Sequence, residues 1–309
     1  MHAGAELAED GIYRSMTDGI ETVKLTREYI KKFLPIREIN SHKGTYGTVL
    51  NIAGSLQFPG AAYLSSISAL KVGCGLVTLG TATCVIPIVA SLAPEITYLN
   101  LGESDYFSIP KDGNKYIQLK PDAISIGCGL GLSGGTKDFV LNFLSKHEND
   151  ETPIIIDADG INTISSSLIK KFPLNSVITP HPTELSRLIK VPVEEIQANR
   201  VMYAWETAKQ FECMVVLKGY ETVIAVPNGK IFINTTGNSS LSKGGTGDIL
   251  TGMIAGFSAQ GLKLEDAVSL AVYLHGLAGE IAGQAYSPRC TLATNIINSI
   301  SPAIKEIEN

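Results

Sequence analysis

The chain has 309 residues, of which 44% are hydrophobic and 18% are charged, and its formal net charge is −5. This composition is typical of a globular protein with a substantial core, and the acidic balance disfavours a nucleic-acid-binding surface. No apolar stretch of about 20 residues predicts a membrane span, and five cysteines without a CxxC pair predict neither a disulfide framework nor a zinc site, which favours a reducing, cytoplasmic location.

The chain begins with a polar, acidic segment, Met1–Asp18, which lacks the apolar core of a secretory signal. We expect residues 1–23 to be a flexible leader or a cloning remnant, and residues 24–309 to form a single domain. The first helix is predicted at Leu25–Phe33.

Short apolar runs then alternate with helical stretches. Near-continuous apolar strands separated by helices predict a parallel sheet that is covered on both faces. The predicted strands are Thr48–Ala53, Gly75–Gly80, Asp122–Gly127, Pro153–Asp157, Ser176–Thr179 and Met214–Lys218. The predicted helices between them are Gly60–Lys71, Thr136–His147, Thr183–Ile189 and Val193–Phe211.

The last third of the chain departs from this alternation. Thr222–Val226 and Lys230–Asn234 flank Asn228-Gly229, which predicts an antiparallel hairpin. No repeat, linker or charge block divides the chain, so we expect an α/β fold: one three-layer domain with a mostly parallel sheet and helices on both faces. The closing helices are predicted at Asp248–Gln260, Leu264–Ala285 and Thr291–Ile307.

The segment Ser242–Asp248 (SKGGTGD) carries the strongest chemical signal. Its glycines and Thr246 open a helix, whose N–H groups and dipole form an anion site. A carboxylate at that place repels anions, but Asp248 suits a base that takes a proton from a hydroxyl as the hydroxyl attacks phosphorus. The alternative is a glycine-rich turn in which Asp248 is a helix-capping acid.

Ligands bind outside the carboxyl ends of the strands in such sheets, and two further motifs fall there. Gly127–Gly131 (GCGLG) is either a ligand-facing or a purely structural turn, and GxGxG without a third glycine is weak evidence for a dinucleotide site. Asp157 and Asp159 follow another strand and suit either magnesium contact or helix capping.

Thr179–Glu184 (TPHPTE) leads from a strand into a helix. Two prolines restrict the backbone on either side of His181, which favours a rigidly displayed ligand contact. In the alternative interpretation Thr183 is the helix N-cap and the prolines only shape the turn.

In Lys218–Thr222 (KGYET), the lysine suits a phosphate charge and the threonine a hydrogen bond, although a plain connecting turn is the alternative. His42–Gly47 (HKGTYG) is either a basic flap over an acidic ligand or an exposed loop. Pro59–Tyr63 opens a helix with small side chains, for ligand approach or for close packing. His275 is expected to be a packed or pocket-rim residue rather than a catalyst.

Together these motifs resemble, in order and spacing, the NAD(P)H-hydrate dehydratases, which are ribokinase-like enzymes that repair hydrated nicotinamide cofactors. The resemblance extends from Lys24 to the C-terminus. The GTGD turn alone is shared with sugar, thiazole and pyrimidine kinases of the ribokinase-like superfamily, whereas HKGTYG combined with TPHPTE is more specific. Cys128 departs from the family, which usually has proline there.

The resemblance implies a stand-alone hydro-lyase that uses ADP, or alternatively ATP, to convert (6S)-NADHX and NADPHX to NADH and NADPH. It implies Asp248 as the base and as a substrate contact, together with Ala62, Gly129 and His181. The nucleotide-binding residues that it implies are Lys218, Gly219, Tyr220, Glu221, Thr222, Gly245, Thr246 and Gly247.

The same resemblance implies that Mg²⁺ bridges phosphate oxygens, largely through waters and without an assigned protein ligand. It also implies a homotetramer in the cytoplasm and a functional link to an NAD(P)HX epimerase, with neither nucleic acid nor membrane as a partner. The rival interpretations are a ribokinase-like kinase of a vitamin precursor or sugar, and a non-catalytic nucleotide-binding regulator.

Overall fold

Runs of β-branched and leucine residues form the strands, because such side chains suit a pleated sheet that is buried on both faces. The computed structural model describes residues 6–7, 13–17, 20–102, 108–167 and 172–309. Its strands are β1 (Glu6–Leu7), β2 (Tyr13–Thr17), β3 (Ile20–Leu25), β4 (Thr48–Ile52), β5 (Leu76–Thr81), β6 (Thr97–Asn100), β7 (Ala123–Ile126), β8 (Ile154–Ile156), β9 (Ser176–Ile178), β10 (Met214–Leu217), β11 (Val223–Ala225) and β12 (Lys230–Asn234).

Helices connect and cover these strands. Among the described residues, none of them combines the length and the apolar character that a membrane-spanning segment needs. They are α1 (Arg27–Lys31), α2 (Pro59–Lys71), α3 (Val85–Leu92), α4 (Gly134–Lys146), α5 (Asp159–Ser165), α6 (Pro182–Ile189), α7 (Val193–Ala198), α8 (Arg200–Phe211), α9 (Thr246–Ala259), α10 (Leu264–Tyr286) and α11 (Ala293–Glu308).

The described strands form one 12-stranded sheet in the order β1-β2-β3-β12-β11-β10-β9-β8-β7-β4-β5-β6. The neighbours from β6 through β5, β4, β7, β8 and β9 to β10 are all parallel. The pair β11–β12 is antiparallel and confirms the predicted hairpin. Because the parallel strands all point the same way, their carboxyl ends meet at one edge of the sheet.

Alternate residues of each central strand enter two separate cores. In β8, Ile155 packs in the core that contains Met253 of α9. Its neighbours Ile154 and Ile156 pack in the core that contains Phe143 of α4. This alternation is the two-residue period of a strand between two helical layers, and it confirms the predicted three-layer α/β fold.

The predicted helices and strands differ from the structure in a few places. The sequence predicts one helix over Val193–Phe211, but Asn199 (φ −137°, ψ 50°) separates α7 from α8. The predicted helix Leu25–Phe33 is shorter, because Leu25 completes β3 and Thr26 caps α1. The sequence pattern missed β6, α3 and α5, which are short. Half of the residues of α3 (VIPIVASL) are β-branched and one is proline, and both kinds are poor helix formers.

The flexible leader predicted for residues 1–23 is wrong where those residues are described, because β1, β2 and the start of β3 belong to the sheet and β2 pairs with β3 in antiparallel fashion. Ile20–Leu25 is a strand that pairs in parallel with β12. Val23 and Leu25 are buried on either side of the exposed Lys24, so this short segment has a strand's alternating pattern. Residues 1–5, 8–12 and 18–19 of the predicted leader lie outside the described residues.

Candidate active site

The motifs that follow β7, β8, β9 and β10 meet at the carboxyl edge of the sheet, beside the start of α9. The HKGTYG motif does not lie there. It forms a 3-10 turn at Lys43–Tyr46 before β4, and the Tyr46 carbonyl accepts a hydrogen bond from Gly75 just before β5. Both positions are amino ends of parallel strands, so the motif does not cover the carboxyl edge of its own sheet as a flap would. The alternative of an exposed loop fits His42 and Lys43, which are both exposed.

The SKGGTGD segment opens α9 as predicted. Gly245 occupies the N-cap position, so Asp248 is not the cap, and α9 continues for 14 residues. The Thr246 hydroxyl donates to the carbonyls of Leu241 (2.9 Å) and Lys243 (3.0 Å). The Thr246 side chain therefore closes the turn, while the first N–H groups of the helix form the anion-binding end.

Asp248 lies half-buried in the first turn of α9. Burial, and next the negative charge of Asp157, raise the pKa of Asp248 to about 6, although Lys218 opposes the shift. A carboxylate with this pKa is ionised at neutral pH and is a stronger base than an ordinary aspartate.

An ion pair lies next to Asp248 at the ends of β8 and β10. The Lys218 ammonium donates to Asp157 at 2.8 Å, and the hydroxyl of Thr251 donates to the other carboxylate oxygen at 2.8 Å. Burial alone would raise the pKa of Asp157, but Lys218 and these hydrogen bonds hold it below its usual value. Burial likewise opposes the charge of Lys218, but Asp157 and Glu184 raise its pKa overall. Both groups are therefore charged.

The donor set here does not suit magnesium. Ligand atoms of Cys128, Asp157 and Asp248 lie within 4.8 Å of one another. Burial, with the two carboxylates, raises the pKa of the Cys128 thiol far above its usual range, and both oxygens of Asp157 already accept hydrogen bonds. Mg²⁺ requires oxygen ligands in near-octahedral geometry. Asp159 is also engaged, since it accepts from the Gly131 amide at 2.8 Å.

The sequence predicts Ala62, Gly129 and His181 as contacts to the hydrate, and we call these three residues the hydrate side after that prediction. Gly129 has φ +62°, and a Cβ there would lie 2.7 Å from the Cβ of Phe58 and 2.8 Å from that of Ala61. The Gly127–Gly131 turn thus packs directly on the first turn of α2. Ala62 itself is fully buried, so its side chain supports this packing and is not open to a ligand in this structure.

His181 is the N-cap of α6. Its Nδ1 accepts from the amides of Thr183 (3.1 Å) and Glu184 (3.4 Å), and Pro182 occupies the first helical turn. The alternative in which Thr183 is the N-cap is therefore wrong, because proline is preorganised for the first helical position and leaves the cap to the preceding residue. The His181 side chain is 47% exposed, so it can cap the helix and still contact a ligand.

A cavity of about 370 Å³ opens beside the start of α9, and we call it the nucleotide side after the residues predicted to bind the nucleotide. This volume is within the usual range for small-molecule sites. Glu221 and Gly245 belong to its turns but do not line it. Six predicted nucleotide residues line it: Lys218, Gly219, Tyr220, Thr222, Thr246 and Gly247.

The KGYET turn on this side depends on a residue that sequence reasoning missed. Arg200 of α8 donates to the carbonyls of Leu217 (2.8 Å) and Lys218 (3.5 Å). Gly219 has φ +151°, and a Cβ there would lie 2.8 Å from the guanidinium. The Thr222 hydroxyl donates to the Gly219 carbonyl at 2.9 Å, so it stabilises the turn itself.

His275 of α10 also lines the cavity, as expected for a pocket-rim residue. It is 8% exposed, and its Nε2 has no hydrogen-bond partner among the described residues. Burial lowers its pKa to about 4, so the ring is neutral. No sequence motif around His275 marks it as a cavity residue, because α10 is otherwise an ordinary buried helix.

The sheet and the glycine-rich start of α9 define an α/β protein of the ribokinase-like class. A ribokinase-like superfamily protein from Enterococcus faecalis V583 has this fold, with a TM-score of 0.80 and 28% identity over 93% of this chain and 96% of that one. The model of the NAD(P)H-hydrate dehydratase family matches residues 49–302, and the chain belongs to this family.

Two relatives are more similar to this chain in sequence than the Enterococcus protein is. The ADP-dependent (S)-NAD(P)H-hydrate dehydratase of Bacillus subtilis is 38% identical over 92% of this chain and 98% of its own length. A crystal structure of the Bacillus enzyme, co-crystallised with ATP/Mg²⁺, has a TM-score of 0.80 and 37% identity, and covers 91% of this chain and 97% of that one. The bifunctional NAD(P)H-hydrate repair enzyme of Moorella thermoacetica is 34% identical over 98% of this chain, which spans 58% of that relative's length.

Proposed function

We propose that this chain dehydrates (6S)-NADHX and NADPHX to NADH and NADPH with ADP as the phosphoryl donor. The observation that carries the proposal is Asp248, a carboxylate with a pKa of about 6 in the first turn of α9, directly after Thr246 and Gly247, which line the cavity. Membership of the family and the similarity to the Bacillus enzyme support it.

Phosphorylation of the C6 hydroxyl replaces hydroxide, a poor leaving group, with phosphate, a good one. As the C6 hydroxyl of the hydrate attacks the terminal phosphorus of ADP, Asp248 takes its proton and AMP leaves. The ring-nitrogen lone pair then expels the phosphate from C6, and loss of a C5 proton restores the double bond. The amides of Gly245–Gly247 stabilise charge on the transferring phosphoryl group, and positioning supplies much of the rest.

Magnesium accompanies the nucleotide in this proposal rather than occupying a site made by the protein. Its chemistry is to neutralise phosphate charge, with much of its water shell retained. Lys218 supplies a fixed positive charge beside the cavity, and Ala62, Gly129 and His181 form the hydrate side.

The family resemblance further supports a homotetramer in the cytoplasm, without nucleic acid or membrane as a partner. An NAD(P)HX epimerase would act with it, because a dehydratase specific for the S form needs the R form converted. The bifunctional name of the Moorella relative and its additional length agree with such a link.

Incubation of the purified protein with NADHX and Mg²⁺, with ADP or ATP in separate reactions, tests the proposal. We expect NADH absorbance with ADP, together with AMP and phosphate in equal amounts. NADH formation with ATP alone would contradict the choice of ADP but not the dehydration. A stable phosphorylated alcohol without NADH would identify a kinase instead.

A further inference from the structure

His275 is a buried polar residue that the reaction described above does not use. It lines the nucleotide side together with Val272 and Gly276, which share one face of α10 with it at the i, i+3 and i+4 spacing. The residue is 8% exposed, and its Nε2 atom is buried without a hydrogen-bond partner among the described residues. Leaving such an atom unsatisfied costs free energy, so its place in a cavity wall points to a ligand that supplies the missing hydrogen bond.

The contact on the other side of the ring decides whether Nε2 donates or accepts. Burial lowers the pKa of His275 to about 4, while a hydrogen bond to the backbone of Thr246 acts in the opposite direction. Only a backbone carbonyl raises the pKa of a histidine in this way, so a ring N–H donates to the Thr246 carbonyl. Because Nε2 has no partner, that donor is Nδ1, and the neutral ring leaves Nε2 as a bare acceptor.

The neighbouring wall of the cavity shows what kind of group Nε2 can meet. The side chains of Asn234 and Thr236 are already engaged within the protein: the Asn234 amide donates to the Thr236 carbonyl at 2.9 Å, and the Thr236 hydroxyl donates to the Asn234 side-chain oxygen at 3.2 Å. Leu250 and Val272 add apolar surface. His275 therefore presents an acceptor beside apolar surface, an arrangement that suits a base and a sugar.

The phosphates of a nucleotide do not suit this acceptor. Their oxygens also carry lone pairs, so they would face Nε2 without a proton between the two atoms. Lys218 acts against the protonation of His275, as burial does, so the ring does not gain the second proton that a phosphate contact needs. The nucleoside, in contrast, carries suitable donors in the 6-amino group of adenine and in the hydroxyls of ribose.

We propose that Nε2 of His275 accepts a hydrogen bond from the nucleoside of ADP, either from the 6-amino group of adenine or from a hydroxyl of the ribose. The choice of a nucleotide as the ligand rests on the proposed function. His275 is then a specificity-determining residue, because a site built around this hydrogen bond rejects a nucleotide that lacks the donor.

Four nucleotides distinguish the two donors without any change in the protein. Inosine diphosphate has an oxygen acceptor in place of the 6-amino group, and 2′-deoxy-ADP and 3′-deoxy-ADP each lack one ribose hydroxyl. Calorimetric titration of the wild-type protein with ADP and with each analogue, in the presence of Mg²⁺, measures binding without turnover. We expect one analogue to bind about tenfold or more weakly than ADP, and that analogue identifies the donor. Equal binding of all four nucleotides would overturn the proposal.

His275→Phe tests whether the ring nitrogen causes that selectivity. Phenylalanine keeps an aromatic ring but cannot accept, so ADP should bind about tenfold or more weakly, and no better than the discriminating analogue. His147→Phe is the matched control. His147 ends α4, and its Nδ1 contacts the Phe143 carbonyl at 2.8 Å, but it does not line the cavity. The control should keep the selectivity of the wild type.

His275→Gln should restore binding of ADP, because an amide oxygen can replace the Nε2 acceptor. An amide also carries a donor. If the 6-amino group is the partner of His275, this variant should therefore bind inosine diphosphate almost as well as ADP. If a ribose hydroxyl is the partner, His275→Gln should keep the preference of the wild type for ADP over the deoxynucleotide.

A purely structural role of the ring, through its contact with Thr246, predicts a different result. His275→Phe would then weaken ADP and the three analogues by the same factor and leave the selectivity unchanged, which would overturn the proposal. Wild-type protein that binds none of the four nucleotides would overturn it as well. Wild-type protein that shows the selectivity but forms no NADH from NADHX would refute the proposed function alone.

Discussion

The hydrate side and the nucleotide side are built in different ways. The hydrate side is a close contact between backbone turns, where Gly129 packs on the first turn of α2 and His181 caps α6. The nucleotide side is an open cavity of about 370 Å³ lined by side chains from β12, α9, α10 and the KGYET turn. Changes in backbone shape should therefore damage the first side, and changes in charge or hydrogen bonding the second.

Asp248 does not line the cavity, and as the proposed base its replacement should affect the chemical step more than nucleotide binding. We expect Asp248→Asn to lower kcat by roughly 100-fold or more, the usual effect of losing a positioned general base. The affinities for NADPH and ADP should stay close to those of the wild type. Steady-state kinetics with NADHX measure kcat, and titrations of the same preparation measure the two affinities. A near-normal kcat in this variant would show that Asp248 is not the general base.

The pH dependence of the reaction should reflect the ionisation of Asp248. Burial and Asp157 raise the pKa of Asp248 to about 6, and the base works only when it is deprotonated. Activity should therefore be complete well above pH 6 and fall about tenfold per unit below it. A profile of kcat/KM from pH 4.5 to 8 checks this, and a flat profile down to pH 5 would contradict a base with that pKa.

Two glycine variants sharpen the comparison between the sides. Gly129→Ala should raise KM for the hydrate about tenfold or more, because the φ of +62° is strained for alanine and the Cβ atoms of Phe58 and Ala61 cannot easily move. Gly219→Ala should raise KM for ADP by a similar factor, because the φ of +151° is strained for alanine and the new methyl group would displace Arg200 from the carbonyls of Leu217 and Lys218. Each variant should leave the other KM nearly unchanged, and equal effects on both would show that the two sides are not separate.

The difference between the hydrate side and the nucleotide side also explains which parts of the site the sequence could predict. The parallel strands follow from their continuous apolar runs, and the site motifs follow from glycines, prolines and charged residues adjacent in the chain. Asp248, His181 and Lys218 were found because each lies in such a local motif. The residues of the hydrate side all lie in such local motifs, and their assignment to the hydrate follows from the family resemblance.

The rest of the nucleotide side depends on tertiary contacts. Arg200 lies in α8 and stabilises a turn that begins at Lys218, and His275 lines the cavity from the middle of α10. Neither residue has a local pattern that distinguishes it from an ordinary helical residue. For the HKGTYG motif, local composition left a ligand flap and an exposed loop open, and the topology favours the loop because it places the motif at the amino edge of the sheet.

The smallest expected effect concerns His181, whose ring has two roles that substitution can separate. His181→Ala removes both the cap and the ring, so stability should fall by about 1 kcal/mol and KM for the hydrate should rise about fivefold. His181→Asn keeps a good capping acceptor but lacks Nε2, so it should retain a nearly normal Tm while showing the same rise in KM. KM for ADP should change little in either variant. If His181→Asn restores the hydrate KM together with Tm, the ring acts only as a cap, and the hydrate side consists of backbone alone.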